Sequence, residues 1–243
     1  MVVVFFLAAG GYGLYRDGQS RQPVDRAVPG SPAARSAREA AHPVPADHPR
    51  IELPPEVTDF LADLAAEAEA SAASVDLWQR LARARYRAGL LNDKYLAGAL
   101  AALNHLMELD PDNREGIRMM GNIAYDQRRY ADAQRHFSRF LKLEPDDPRV
   151  MTDLASSLLF QEKKAEAESL YRRAIAAKPD FLQAHFNLGI ILQAQGKSGE
   201  ALDSLKRALA LATTVEQTRQ INAVIAQAEG REPEAAANGE GQQ

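Results

Sequence analysis

The residues that can act chemically on a ligand are present in this chain, but their spacing forms no working site. Gly196-Lys197-Ser198 has the ending of a phosphate-binding loop. That motif needs a glycine five residues before Gly196, where Ile191 stands, and a strand leading into it. Here the triplet falls between two helix-periodic stretches and reads as a turn. Gly10, Gly11 and Gly13 lack the third spaced glycine and the strand of a dinucleotide site. His42 and His48 lie in a proline-rich stretch, and His105 and His136 sit on outward helices. None of them forms a pair or carboxylate cluster at metal-ligand spacing. His185 falls at an apolar-periodic position, which suits a packed, hydrogen-bonded histidine. No Gly-x-Ser-x-Gly nucleophile elbow occurs. Glu162, Glu166 and Glu168, beside Lys163 and Lys164, read as a solvated helix face. The chain has no cysteine, which removes disulfides, thiolate metal sites and a cysteine nucleophile together. The expectation is a non-enzyme without cofactor or metal.

The elements around these residues are helical. The 243 residues are rich in alanine, leucine and charged side chains, a mix that favours helix. A net charge of −4 offers no electrostatic footprint for nucleic acid. Four zones divide the chain. Residues 1–15 begin with an uncharged apolar run, Val2 to Tyr15. Residues 16–54 are rich in proline, alanine and arginine and hold almost no large apolar side chains, which predicts a disordered linker. Residues 55–229 are helix-periodic, and 230–243 form a polar tail.

The helical zone repeats with a period of 34: Pro111, Pro145 and Pro179; Ala99, Ala133, Ala167 and Ala201; Met120, Leu154 and Leu188; Gly121, Ala155 and Gly189. Four residue classes in one register exclude chance, and the period is that of a helix–turn–helix unit. The units run over 75–113, 114–147, 148–181 and 182–213. The first carries about four extra residues near Leu90 to Gly98, either a neutral loop insertion or a shaped edge. Val57, Phe60, Leu61 and Leu64 form an apolar stripe on a leading helix. A closing helix spans 214–229, where Thr214 and Gln217 have the spacing of a capping box.

These residues resemble the tetratricopeptide repeat family. The second unit reads Ile117, Met120, Gly121, Ala124, Ala133, Phe137, Phe140 and Pro145, and the third reads Met151, Leu154, Ala155, Leu158, Ala167, Tyr171, Ala174 and Pro179. The resemblance implies an all-α, right-handed α-solenoid of about four hairpins with a leading and a capping helix. It also implies that the first helix of each unit lines a groove for partner polypeptides. Carried over residue by residue, that groove holds Arg83, Tyr86 and Arg87, then Arg118, Asn122 and Tyr125, then Leu159 and Phe160, then Phe186 and Ile190. It is expected to be basic and aromatic at one end and apolar and exposed at the other. Some members clamp a C-terminal carboxylate between Lys, Asn and Arg. Here Gln79 and Arg83 replace the expected Lys and Asn, and Asp153 stands where Arg is required, so no clamp is expected.

The run Val2 to Tyr15 is short for a membrane span and lacks a preceding basic residue. It reads as an anchor, or alternatively as a signal peptide; a buried segment is a third reading, and the linker that follows argues against it because nothing nearby in sequence would bury the run. Gly13-Leu14-Tyr15, with Trp78 and Leu81-Ala82, also resembles the repeat-bearing part of the bacterial cytochrome c maturation factor. That similarity implies repeats in the periplasm on an inner-membrane anchor. The arginines after the apolar run favour the cytoplasmic face instead. The expected function is a tethered scaffold that holds partner proteins or extended peptide segments during assembly of an envelope complex. Cytochrome c biogenesis is one such case. The alternatives are a self-associating structural repeat protein and a cytoplasmic adaptor. Nucleic acid is excluded as a partner.

Overall fold

A computed structural model describes residues 51–229 and contains ten α-helices. The apolar run Val2 to Tyr15, the linker up to residue 50 and the tail after residue 229 lie outside the described residues. The chain forms two compact units that meet in sequence at His136 and Phe137.

The described part of the first unit holds α1 (Pro55–Ala70), α2 (Val75–Gly89), α3 (Leu96–Leu109), α4 (Arg114–Asp126) and the start of α5 (Tyr130–Leu143). Each start has a local cause. Pro55 occupies the first turn of α1, where its missing N–H costs nothing. The Ser74 side chain accepts from Leu77 N at α2, and that of Asn113 accepts from Gly116 N at α4. The helices α1 and α2 pack together, α2 packs on α3 and α4, and α3 packs on α4. Their core joins Leu64, Ala68, Leu77, Leu81, Ala82, Ala99, Leu103, Leu106 and Ile123. Small residues set the spacing: Ala82 and Ala99 are fully buried.

The second unit holds the rest of α5, then α6 (Pro148–Leu159), α7 (Lys164–Ala177), α8 (Leu182–Ala194), α9 (Ser198–Ala210) and α10 (Val215–Ala228). The carboxylate of Asp147 caps α6 by accepting from Arg149 N and Val150 N, with Pro148 in its first turn. Thr214 and Gln217 form the expected capping box at α10. In this unit α6 packs on α7 and α8, α7 on α8, α8 on α9 and α10, and α9 on α10. A Cβ at Gly189 would stand 2.6 Å from Leu205 Cγ, so only glycine permits this approach of α8 to α9. Gly196 and Lys197 lie in the turn between those helices, as expected, and Ser198 opens α9.

Two details differ from the sequence reading. The stripe on α1 is only partly used: Leu61 and Leu64 are buried, but Val57 and Phe60 are exposed. Phe60 lies at the edge of the stripe, and Val57 lies in the first turn, next to the free end of the hairpin. The insertion in the first unit is not an idle loop. It forms a short 3-10 helix, Asp93–Tyr95, and holds the start of the described chain. Ile51 N donates to Leu91 O at 3.1 Å, Asn92 Nδ2 donates to Ile51 O at 3.3 Å, and Lys94 pairs with Glu52 at 2.9 Å.

Arg128, Glu162 and Gly196 repeat the 34-residue spacing and share a left-handed backbone, with φ of 58°, 61° and 77°. Each closes the tight turn between the two helices of its unit. Glycine suits this conformation, whereas a side chain there costs roughly 1–2 kcal/mol. Glu162→Gly is therefore expected to raise stability by about 0.5–1 kcal/mol, and Gly196→Ala to lower it by about 1 kcal/mol. Urea midpoints of the two variants on the same side of the unmodified protein would refute the assignment.

Candidate functional site

The first unit places the candidate residues of α2 and α4 on neighbouring helices and ties several of them together. Arg83 donates from Nε to Glu115 Oε1 at 2.6 Å and from Nη2 to Glu115 Oε2 at 2.5 Å, a two-pronged ion pair. Gln79 Nε2 donates to the same carboxylate at 2.7 Å, and Asn113 Nδ2 donates to Gln79 Oε1 at 3.0 Å. Asn113 also caps α4, so one network fixes the start of that helix against α2. The hydrogen bond to Glu115 holds the Arg83 guanidinium above its ordinary value. Further along, Tyr86 donates its hydroxyl proton to Asp126 Oδ2 at 3.2 Å. Tyr125 packs edge-on against Tyr130, with ring centroids 5.5 Å apart.

This arrangement corrects the expectation of a basic end. Glu115 neutralises Arg83, and Asp126 lies beside Tyr86, so the charge of the face is mixed. What remains open is Arg87, Arg118 and Asn122. These side chains make no hydrogen bond or ion pair among the described residues. Arg87 is exposed, whereas Arg118 and Asn122 are half-buried. A half-buried guanidinium next to a side-chain amide can meet a carboxylate or a backbone carbonyl.

The second unit departs further from the expected apolar surface. Leu159 and Ile190 are half-buried and Phe160 is 44% exposed, but Phe186 is fully buried. The helix α8, which carries Phe186, packs on α6, α7, α9 and α10, so nearly every side of it faces protein. Thr152 and Ser156, one 34-residue repeat on from Arg118 and Asn122, are buried as well. They belong to a chain of hydrogen bonds. Ser156 Oγ donates to Thr152 O at 2.9 Å and accepts from the Tyr171 hydroxyl at 3.0 Å, and Asn187 donates to that hydroxyl in turn. Burial pushes the Tyr171 phenol well up from its usual range. Asn187 Oδ1 has no partner.

Two of the histidines, His105 and His185, sit against the backbone of neighbouring turns. His185 Nε2 lies 2.9 Å from Pro179 O. His105 stacks on Trp78 at 4.1 Å, and both rings approach Ala72 O at 2.9 Å. Among the described residues, no group of three His, Cys, Asp or Glu side chains is placed to hold a metal ion.

The family model of the tetratricopeptide repeat matches residues 118–179 and 152–215. No curated protein matches the chain. Among solved structures, it is similar to PilW, described as a widely conserved type IV pilus biogenesis factor. The identity is 20%, the TM-score 0.60, and the match covers 72% of this chain and 79% of that one. MamA from Desulfovibrio magneticus RS-1 is 15% identical with a TM-score of 0.58, over 65% of this chain and 86% of that one. YrrB, described as a TPR protein with an unusual peptide-binding site, is 18% identical with a TM-score of 0.54, over 69% and 84%. At these identities the likeness establishes the fold.

The two phenylalanines of the second unit therefore separate by experiment. Phe186→Ala is expected to cost roughly 3–5 kcal/mol of stability as a core truncation. Phe160→Ala is expected to cost less than about 1 kcal/mol, as a change at a half-exposed site. Chemical denaturation of the two variants checks this, and equal losses would contradict the burial difference.

Proposed function

We propose that this tetratricopeptide repeat protein is a non-catalytic scaffold whose first-helix faces hold segments of partner polypeptides. The observation that carries the proposal is the face of α2 and α4 in the first unit. There the Arg83–Glu115 network fixes the two helices, while Arg87, Arg118 and Asn122 stay unpaired on the same pair of helices. Groups held in place but not satisfied suit recognition, because little ordering entropy remains to be lost on binding. Carboxylates and backbone carbonyls are the matching chemistry. Phe160 offers a separate apolar contact within the second unit.

The second part of the proposal is a membrane tether. Among the described residues, no helix is long and apolar enough to cross a membrane. The tether therefore rests on the run Val2 to Tyr15. With repeats on the periplasmic side of an inner membrane, such a protein would gather components of an envelope complex. An apocytochrome c awaiting haem is one cargo consistent with the sequence resemblance. The cytoplasmic face is the alternative, favoured by Arg16, Arg21 and Arg26 after the apolar run.

Two experiments separate these statements. Detergent extracts are passed over the immobilised full chain and over its Arg118→Ala/Asn122→Ala variant. Specific partners are expected to fall about tenfold in the variant, a loss of roughly 1.4 kcal/mol. Recovery that is unchanged removes the α2–α4 face from the proposal. For sidedness, a reporter active only in the periplasm, fused after Gln243, is expected to be active. Activity only of a cytoplasmic reporter reverses the orientation.

A further inference from the structure

Among the described residues, five of the nine large apolar side chains that remain exposed belong to one end of the first unit. They are Ile51 (50%), Val57 (38%), Phe60 (52%), Leu90 (46%) and Leu91 (46%). Their grouping follows from the topology. The helices α1 and α2 form a hairpin, joined by a short turn, so the start of α1 lies beside the end of α2. Ile51 is bonded to Leu91 and to Asn92, which brings the segment before α1 to the same place. A cluster of this kind is uncommon on a surface that meets only water. On α1, Glu56, Asp59 and Asp63 flank it, exposed and without an ion-pair partner among the described residues. The surface is thus apolar, acidic along its α1 side, with Arg87 one turn before Leu90 on its α2 side.

We infer that this surface docks the apolar run Val2–Tyr15 of the same chain. Three observations select that occupant. The first is chemistry: Val2–Tyr15 is uncharged and apolar, and Arg16 follows it directly. Residues 16–50 carry six arginines against four acidic residues, a charge opposite to that of the α1 side of the border. The second is the path of the chain, because the N-terminal residues join the described fold at Ile51, inside the cluster itself. The third is reach. The 35 residues from 16 to 50 have a contour of at most about 120 Å, several times the length of one hairpin, so the run can reach the cluster.

Other occupants fit less well. An anionic lipid surface would meet Glu56, Asp59 and Asp63 as like charges. A second copy using the same face would set those acids against their own equivalents, because a two-fold contact pairs a patch with itself. Docking on the repeats and residence in a bilayer are then alternative states of one segment.

Hydrogen–deuterium exchange of the full chain without lipid tests this. Peptides from Val2–Tyr15 are expected to exchange at least about tenfold more slowly than an unstructured chain. Phe60→Asp, and separately Leu91→Asp, are expected to remove that protection while leaving peptides from α6 to α8 unchanged. Both positions are about half exposed, so neither change burdens the core. Absence of protection in the unmodified chain overturns the proposal, as does protection that survives both substitutions. Protection that rises with protein concentration assigns the surface to another copy and overturns docking within one chain.

Discussion

A two-helix hairpin cannot cover its own apolar face, and the rest of this structure follows from that constraint. Each hairpin has to lie against another, and helices come close only where side chains are small. Ala99, Ala133, Ala167 and Ala201 are each fully buried at the same place in their units. At Gly189 even a methyl group would collide with Leu205. Larger residues then fill what remains: Leu103 and Leu106 in the first unit, Phe137, Tyr171 and Leu205 in the second. The free ends need closing, which gives α1 and α10 their roles. The α10 helix is half apolar and starts with a reciprocal cap. The α1 helix closes its end less completely and leaves Val57 and Phe60 in contact with solvent.

Much of this was legible in the order of the residues. Period, small-residue register, turn positions and the Thr214–Gln217 cap are local patterns, and local patterns survive folding almost unchanged. The face of each first helix was less legible because it depends on direction within a turn of helix. Phe160 and Phe186 both fit expected groove positions, yet one is half exposed and the other has no exposed surface. The difference arises because α8 is enclosed by four other helices. The Arg83–Glu115 pair was likewise hidden. It joins residues 32 apart, and its existence depends on the offset between stacked helices. A list of basic residues gives no such offset. The first-unit insertion looked neutral or edge-forming, and its hydrogen bonds to Ile51 appear only in three dimensions.

The two units solve the problem of polar groups differently. In the first, the polar network lies on the surface between α2 and α4 and leaves neighbouring side chains available. In the second, the polar residues at matching positions turn inward: Thr152 and Ser156 bond back to the carbonyl four residues earlier. This internal satisfaction is what makes a more apolar first helix tolerable in α6. Unpaired polar side chains on the first helices are consequently found in the first unit, at Arg87, Arg118 and Asn122.

The chain from Asn187 through Tyr171 and Ser156 to the Thr152 carbonyl has a consequence for assembly of the fold itself. Hairpins built to one pattern are at risk of docking onto the wrong neighbour, since oily surfaces of similar shape accept one another. A hydroxyl and an amide in the joint accept only partners at the right height and angle. A misplaced hairpin would leave them buried and unpaired, at a cost of about 1–3 kcal/mol for each group. Within the second unit, this chain of contacts gives look-alike parts a way to count.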